Sequence, residues 1–333
     1  MLKNSRIIVV GATGRVGREM LSVLREFGVL SANVSAAASE RSDGMTLEYG
    51  EAGIRVQNLA DVDFSKYDLA LFSAGGDVSA RYAPVAAEHG CTVIDNTSFF
   101  RMHDDVPLII PEVNFGDLRR YNSRIIANPN CSTIQMVVAL KPLHDLFRLH
   151  EVVISTYQST SGAGQKGVDE LLLQSKQVME NGQTEPLHFK RQIAFNVIPQ
   201  VDKFTPSLYT KEELKMMNET KKILDLPELN ITATCVRVPV VVGHAVSVFA
   251  RFINPVDLQE ARQALSNFPG VSVVDDPENY EYATPLDAAS KNDVFVSRLR
   301  THPTIVNALN FWCVADNVRK GAALNAVQIA NRL

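Results

Sequence analysis

Residues 6 to 20 read RIIVVGATGRVGREM, in which an apolar run is followed by a glycine-rich turn and a helical pattern. Four consecutive aliphatic residues before the turn are typical of a strand buried in a parallel sheet. Gly11, Gly14 and Gly17 let the backbone approach a phosphate while the N–H groups of the following helix face it. A glycine-rich turn can also be purely structural, but its place between a strand and a helix predicts a dinucleotide-binding domain.

Short apolar runs alternate with helical patterns through the first third of the chain, from NVSAAA and DLALFSAG to CTVIDN and SRIIANPN. This alternation predicts parallel strands joined by crossover helices. From residue 151 the β-rich runs are longer, and helices are predicted near 165 to 181, 211 to 225 and 256 to 266. We therefore predict an α/β protein with a Rossmann-like dinucleotide-binding domain over residues 1–131, completed by a C-terminal helix at 316–333. An α+β domain with a mixed sheet is predicted over residues 132–315.

The composition limits the class of partner. The 333 residues are 46% hydrophobic and 21% charged, with 33 basic and 37 acidic residues and a net charge of -4. No block rich in lysine or arginine is present, so we expect neither nucleic acid nor a membrane as a partner, but a small molecule. The first apolar run is too short for a secretory signal and no later run reaches transmembrane length, so we expect a cytoplasmic protein.

The four cysteines differ in their surroundings. They lie far apart without zinc-binding spacing, so neither disulfides nor a metal site is predicted. Cys91, Cys235 and Cys313 lie in apolar strand-like runs and are expected in the core. Cys131 stands in ANPNCSTIQM, residues 127 to 136, between a strand-like run and a helix-like run. The start of a helix stabilises a thiolate, so Cys131 is a candidate nucleophile, although a small buried hydrophobe is the alternative.

The segment after the second predicted strand should contact the adenosine ribose. It reads SERSDG and contains Ser39, Glu40, Arg41 and Ser42. An acidic residue suits a free 2′-hydroxyl, whereas an arginine with hydroxyl groups suits a 2′-phosphate. The presence of Glu40 leaves the choice between NAD and NADP open. We favour NADP because Arg41 and the two serines can surround a phosphate.

The whole chain resembles the aspartate-β-semialdehyde dehydrogenase family, with the motifs in the family's order. They are GATGRVG, DNTSFFRM, IPEVN, NPNCST, STYQSTSGAG, IAFNVIP, TKEELKMMNETKKIL, TATCVRVPV, the GH at 243 to 244, and ADNVRKGAALNAVQIA. The resemblance implies NADPH-dependent reductive dephosphorylation of β-aspartyl phosphate, in the pathway to lysine, threonine and methionine. It also implies that the second domain is catalytic and assembles a homodimer.

The resemblance assigns roles to individual residues. Cys131 would be the acylated nucleophile, Gln158 would orient the reacting carbonyl, and His244 would be the general acid/base. Substrate and phosphate binding are assigned to Arg101, Asn130, Glu219, Lys222 and Arg237. The cofactor would contact Gly11, Thr13, Gly14, Arg15, Val16, Ser39, Arg41, Ser42, Ser73, Gly75, Ser161, Gly162 and Asn317.

The chemistry of these residue types agrees with the assignment. A thiol forms a thioester that stays reactive, and a histidine near neutral pKa can carry a proton in either direction. Glu219 and Lys222 are three residues apart on one predicted helix face, for which an exposed ion pair is the alternative. Ala245 and Val246 follow His244 where the family commonly has a hydroxyl residue and an acid, so the ring's orientation stays open.

Two other functions are alternatives to this dehydrogenase activity. N-acetyl-γ-glutamyl-phosphate reductase shares the chemistry and the fold plan. A non-catalytic paralogue would keep the fold for binding alone, but it would not need a thiol, an orienting amide and a proton carrier together.

Overall fold

The computed structural model describes residues 2 to 333, and the backbone alone at position 181. The chain forms two compact units. The first extends to Asn130 and is completed by Ala322–Leu333, and the second is Cys131–Gly321.

The first unit contains a seven-stranded sheet and four helices. Its strands are β1 (Ile7–Val10), β2 (Val34–Ala38), β3 (Thr46–Tyr49), β4 (Ala52–Asn58), β5 (Leu69–Phe72), β6 (Thr92–Asp95) and β7 (Ile125–Ala127). Its helices are α1 (Arg15–Glu26), α2 (Gly76–Glu88), α3 (Pro111–Asn114) and the C-terminal α9 (Leu324–Arg332).

The strand order is β3-β4-β2-β1-β5-β6-β7, and every pair is parallel except β3 with β4. The central strands β1 and β5 are wholly buried, as expected of parallel strands covered on both faces. Helix α1 buries Met20, Leu21, Val23 and Leu24. The predicted α/β, Rossmann-like architecture is confirmed. Sequence analysis did not identify the hairpin formed by β3 and β4.

The β1–α1 turn shows why glycines are needed there. Gly11 has φ +82°, and a Cβ at Gly17 would lie 2.3 Å from the carbonyl oxygen of Gly11. Any side chain at Gly17 would push helix α1 away from the turn, because backbone atoms cannot yield to such a contact. The two residues therefore keep the turn tight.

The second unit is built on a six-stranded mixed sheet. Its strands are β8 (Leu149–Gln158), β9 (Asn230–Arg237), β10 (His244–Phe252), β11 (Val271–Val273), β14 (Val294–Thr301) and β15 (Ala308–Ala315), with a ribbon of β12 (Asp275–Asp276) and β13 (Glu281–Tyr282). Its helices are α4 (Cys131–Phe147), α5 (Gln165–Asn181), α6 (Lys211–Leu224), α7 (Leu258–Asn267) and α8 (Pro285–Ala288). The sheet order is β11-β14-β15-β10-β8-β9.

Helix α4 forms the centre of the second unit. Residues 132 to 140 are all buried, because the helix contacts the sheet on one side and α6 and α7 on another. A helix that is buried on every face is typical of the interior of a domain. Its first residue is therefore held in place by the whole layer behind it.

In the described range, 2 to 333, every helix is too short or too polar to span a bilayer.

Candidate active site

The first unit presents a loop that fits a dinucleotide. Gly14 precedes α1, and as a glycine it supplies no side-chain cap to the start of the helix. Thr13 lies in the same turn, and Arg15 and Val16 are the first residues of α1. An uncapped helix start behind a tight glycine turn suits a pyrophosphate.

The residues of this unit that are predicted to contact the ribose and the nicotinamide also lie directly after the ends of strands. After β2, Ser39 and Arg41 are exposed and Ser42 is half-buried in a short 3₁₀ turn. After β5, Ser73 donates a hydrogen bond from its hydroxyl to the carbonyl of Val10, and Gly75 has φ +103°. Ligands of parallel α/β sheets bind beyond the carboxyl ends of the strands, where all these residues lie.

Arg101 and Asn130 belong to the first unit and are buried. The Arg101 side chain donates hydrogen bonds to the carbonyl oxygens of Asn128 and Asn96, each at 2.9 Å. These two residues follow β7 and β6, so the guanidinium is fixed at the same carboxyl edge of the sheet.

In the second unit, the pairing register brings three predicted residues to one edge of the sheet. Gln158 ends β8 and is paired with Arg237, which ends the parallel strand β9. His244 begins β10, which runs antiparallel to β8, so its start lies beside the end of β8. All three side chains are buried. The pairing register therefore brings an amide, a guanidinium and an imidazole together at one edge of the sheet.

Cys131 is the first residue of α4 and is half-buried, as the strand-to-helix junction in the sequence predicted. Gly321 lies directly against it, because a Cβ at Gly321 would stand 2.8 Å from the Cβ of Cys131. The thiol thus occupies a helix start that a neighbouring glycine leaves accessible.

Gln158 connects this helix start to α6. Its Nε2 donates hydrogen bonds to Ser132 Oγ at 2.6 Å and to Glu212 Oε1 at 3.0 Å. Its Oε1 is buried without a hydrogen-bond partner among the described residues. The Gln158 amide is therefore tied to Ser132, the second residue of α4 and the next in sequence after Cys131.

The ring of His244 is oriented by Ser159. The Ser159 backbone N–H donates to Nδ1 at 3.0 Å, and the Ser159 hydroxyl lies 3.0 Å from the same nitrogen. Because a backbone N–H can only donate, Nδ1 carries no proton and the neutral ring holds its proton on Nε2. This contact answers the question that Ala245 and Val246 left open.

Burial sets the charge of His244. Desolvation, helped by the nearby Arg237 cation, lowers the pKa of His244 to about 3, although the Glu212 carboxylate opposes the shift. The imidazole is therefore neutral at pH 7. Gly162 leaves room for the side chains of His244 and Arg237, since a Cβ there would lie 2.8 Å from His244 Nε2 and from Arg237 Nη1.

Asn317 extends the hydrogen-bond network around the histidine. Its Oδ1 accepts from Ser159 Oγ and Ser161 Oγ, each at 3.1 Å, and from the Gly243 N–H at 2.9 Å. Ser161 and Asn317 were predicted as cofactor contacts. The structure places both of them, together with Gly162, around His244 and Ser159.

The remaining predicted residues of this unit are Arg237, Glu219 and Lys222. Arg237 Nη1 donates to the Ser159 carbonyl at 2.7 Å, and burial lowers the pKa of its guanidinium. In the described part of the chain, no carboxylate forms an ion pair with Arg237. Glu219 is buried and Lys222 half-buried on α6.

Sequence analysis missed four residues of this site: Ser132, Gln135, Ser159 and Glu212. Gln135 Nε2 donates to the carbonyl of His244 at 2.9 Å and so ties α4 to the start of β10. The only sequence signal was that three of them lie in the quoted motifs NPNCST, STYQSTSGAG and TKEEL.

Comparison with known proteins shows the family to which the chain belongs. A family model described as semialdehyde dehydrogenase, NAD binding domain, matches residues 6–121, and one described as semialdehyde dehydrogenase, dimerisation domain, matches residues 140–320. Aspartate-semialdehyde dehydrogenase 2 of Vibrio cholerae is 46% identical over 335 residues, which cover 100% of this chain and 98% of that protein. The chain belongs to the aspartate-semialdehyde dehydrogenase family.

Further relatives support membership of the aspartate-semialdehyde dehydrogenase family. The enzyme of Bacillus subtilis is 44% identical over 343 residues, covering 100% of this chain and 98% of its own. The crystal structure of aspartate semialdehyde dehydrogenase II from Vibrio cholerae superposes with a TM-score of 0.94 at 46% identity, over 98% of this chain and 97% of that one. The family predicted from sequence is confirmed.

The four thiols should react at different rates. Burial raises the pKa of Cys91 to about 12 and also raises the pKa values of Cys235 and Cys313. We expect one equivalent of iodoacetamide to label Cys131 first, because the other thiols are buried and protonated. Peptide mass spectrometry measures the rates, with Cys131→Ala as the control that should label slowly. Equal labelling rates at all four thiols would mean that Cys131 is no more reactive than the three buried cysteines.

The lowered pKa of His244 predicts a pH dependence of stability. An unfolded histidine has a pKa of about 6.5, so between that pH and about 3 the unfolded chain binds a proton that folded His244 does not. The stabilisation is complete above about pH 6.5 and is lost as the pH falls toward 3. We expect His244→Gln to reduce the slope of unfolding free energy against pH by about 1.4 kcal/mol per pH unit in this window.

Urea unfolding at several pH values measures that slope, and His150→Gln, which changes an exposed histidine, is the control. If His244→Gln and the parent have the same slope, His244 is not buried in its neutral form.

Proposed function

We propose that this protein reduces β-aspartyl phosphate to aspartate semialdehyde with NADPH and releases phosphate, in the pathway to lysine, threonine and methionine. The observation that carries the proposal is the convergence of Gln158, Arg237 and His244 beside the start of α4. A Vibrio cholerae relative, 46% identical, has been solved as aspartate semialdehyde dehydrogenase II complexed with ASA.

In the proposed reaction, the Cys131 thiolate attacks the acyl carbon and phosphate leaves, so that a thioester is formed. NADPH, when bound, supplies the hydride that adds to the thioester carbon. The resulting oxyanion faces a proton held on His244 Nε2, and its protonation gives a thiohemiacetal. The hydroxyl proton returns to His244 Nε2 as the C–S bond breaks, which releases the aldehyde and restores the thiolate.

Arg237 supports an anionic substrate. The buried Arg237 guanidinium donates to a neutral carbonyl and keeps further donors for a carboxylate. The nearby Glu212 carboxylate offsets the cost of burying this charge only in part, because the net shift of the Arg237 pKa is downward. We assign the α-carboxylate of the substrate to Arg237 and its α-ammonium to Glu219. Arg101 and Lys222 are the proposed phosphate ligands, and Asn130 is the proposed neighbour of the nucleophile.

The two units divide these tasks. We propose that the first, together with the C-terminal helix, binds NADP through the Gly11–Gly17 turn and the Ser39–Ser42 segment. The second would be the catalytic and dimerisation domain. The cytoplasm is the proposed location, because the reaction belongs to biosynthesis.

A homodimer is proposed through the outer face of the six-stranded sheet. The helix α4 packs on the other face, whereas Val153 and Tyr157 point outward and are 42% and 39% exposed. The Tyr157 ring lies 5.3 Å from that of Trp312, and the outward-facing Phe249 is paired with Val153. A flat apolar face of this kind is typical of a homodimer interface.

Substrate choice tests the function. We expect phosphate-dependent NADP reduction with aspartate semialdehyde, and a kcat/KM about 10⁴-fold lower with N-acetylglutamate semialdehyde, because acetylation removes the positive charge that Glu219 is proposed to recognise. Glu219→Gln should raise KM and narrow this preference. Comparable values for the two aldehydes would support the N-acetyl-γ-glutamyl-phosphate reductase alternative, and no turnover of either would support the non-catalytic one.

Nucleotide choice is expected to depend on Arg41. Arg41→Ala should weaken NADP binding by about 1.5 to 3 kcal/mol and affect NAD much less, because only NADP carries the 2′-phosphate. Calorimetric titration measures both affinities. Arg81→Ala is the control, since it removes the same charge from an exposed position on α2 of the same unit. Equal losses for the two nucleotides would exclude Arg41 as the residue that recognises the phosphate.

A further inference from the structure

The carboxylate of Glu212 lies within the site but has no role in the reaction described above. It is buried at the start of α6, where its Oε1 accepts from Gln158 Nε2 at 3.0 Å. Its Oε2 accepts from Lys215 Nζ at 3.2 Å, and Lys215 also contacts Asp202 at 2.9 Å. Burial lowers the pKa of Lys215, but Glu212 and Asp202 outweigh it and the net shift is upward. The Glu212 carboxylate therefore forms an ion pair with Lys215 and acts as a hydrogen-bond acceptor toward Gln158.

An acceptor at this position decides which way the Gln158 amide points. Ser132 Oγ, the other neighbour of Nε2, can donate or accept and so tolerates either end of the amide. Glu212 does not, because a flipped amide would bring Oε1 against a carboxylate oxygen at about the same 3.0 Å. The Glu212 carboxylate thus favours the orientation in which Gln158 Nε2 faces it.

This orientation leaves one specific group available. Both amide hydrogens of Gln158 are directed to Ser132 and Glu212, while Oε1 is buried and lacks a partner among the described residues. Buried acceptors of this kind are rare in folded proteins and call for an explanation. Gln158 therefore offers an acceptor rather than a donor to the reacting centre beside Ser132.

We propose that Glu212 is a positioning residue that holds Gln158 with Oε1 toward the hydroxyl of the thiohemiacetal on Cys131. His244 holds a proton on Nε2 and suits the oxyanion form of that oxygen, while Gln158 Oε1 accepts from its hydroxyl form. The two side chains are complementary partners for one oxygen in its two protonation states. The catalytic part of this inference rests on the proposed function.

Kinetics test the role of Glu212. Glu212→Gln keeps the shape but tolerates either amide orientation, so we expect kcat to fall by about 10- to 100-fold with KM changed by less than about threefold. In a Gln158→Ala background the same substitution should lower kcat by no more than about twofold, because there is no amide left to orient. Equal losses in both backgrounds would overturn the inference, since a direct electrostatic effect on Arg237 or His244 would persist.

Glu213→Gln is the matched control. Glu213 is the next residue on the same helix, is equally buried, and accepts from the backbone N–H groups of Thr210 and Cys235. Its substitution should lower the melting temperature and leave kcat near that of the parent. A loss of kcat as large as that of Glu212→Gln would mean that any disturbance of α6 impairs the site, and this would also overturn the inference.

A second measurement does not depend on activity. Exchange of the Gln158 side-chain amide hydrogens with solvent, followed by ¹⁵N NMR and assigned with Gln158→Ala, should be slow in the parent and at least about tenfold faster in Glu212→Gln. Unchanged exchange overturns the positioning role whatever the activity. Slow exchange in a parent that does not turn over aspartate semialdehyde would reject the proposed function and leave the Glu212–Gln158 contact established.

Discussion

The pairing register of β8, β9 and β10 is the constraint on which the second unit's site depends. Buried and more exposed residues alternate along β9, along most of β8 and along β10 from Val246 onward. The buried set of each strand has a polar residue at the same edge of the sheet, namely Gln158, Arg237 and His244. A slip of one residue would turn each side chain to the opposite face of the sheet. The same apolar alternation that builds the core therefore fixes the direction of the amide, the guanidinium and the imidazole.

Helix α4 supplies the second half of this constraint. Because residues 132 to 140 are buried on every side, the helix cannot rotate or slide without disrupting the core. Gln158 bonds to Ser132 and Gln135 bonds to the His244 carbonyl, so the helix start and the strand ends are joined directly. The position of Cys131 therefore follows from the packing of the helix that it begins.

The sequence predicted the parts of the molecule that local patterns encode. The strand–turn–helix at residues 6 to 20, the strand ends and the start of α4 all follow from hydrophobic periodicity and glycine placement, and the order of motifs identified the family. The assigned roles of the site residues stay predictions. The β3–β4 hairpin was missed because its strands are half exposed and bear charged residues, such as Glu48 and Arg55, with little apolar signal.

Glu212 and Ser159 were missed for another reason. In sequence, Glu212 belongs to the first turn of a helix with a capping box, where an exposed acid stabilises the helix dipole. It is buried only because α6 packs against α4 and β9, which are distant in sequence. Ser159 orients His244 mainly through its backbone N–H, and every residue except proline has such a group. No pattern of side chains can therefore reveal that contact.

Three buried polar groups at this edge of the six-stranded sheet lie in unfavourable surroundings. Arg237 has a lowered pKa, His244 is kept neutral by burial, and Gln158 Oε1 lacks a partner among the described residues. Each departure reduces the stability of the fold, and each would be relieved by a ligand that carries an anion, an oxygen to protonate and a hydroxyl to donate. The largely buried helix α4 and the six-stranded sheet provide the surplus stability that allows such groups to stay buried. Because all three departures lie at one edge of one sheet, they point to a single ligand rather than to independent defects of packing.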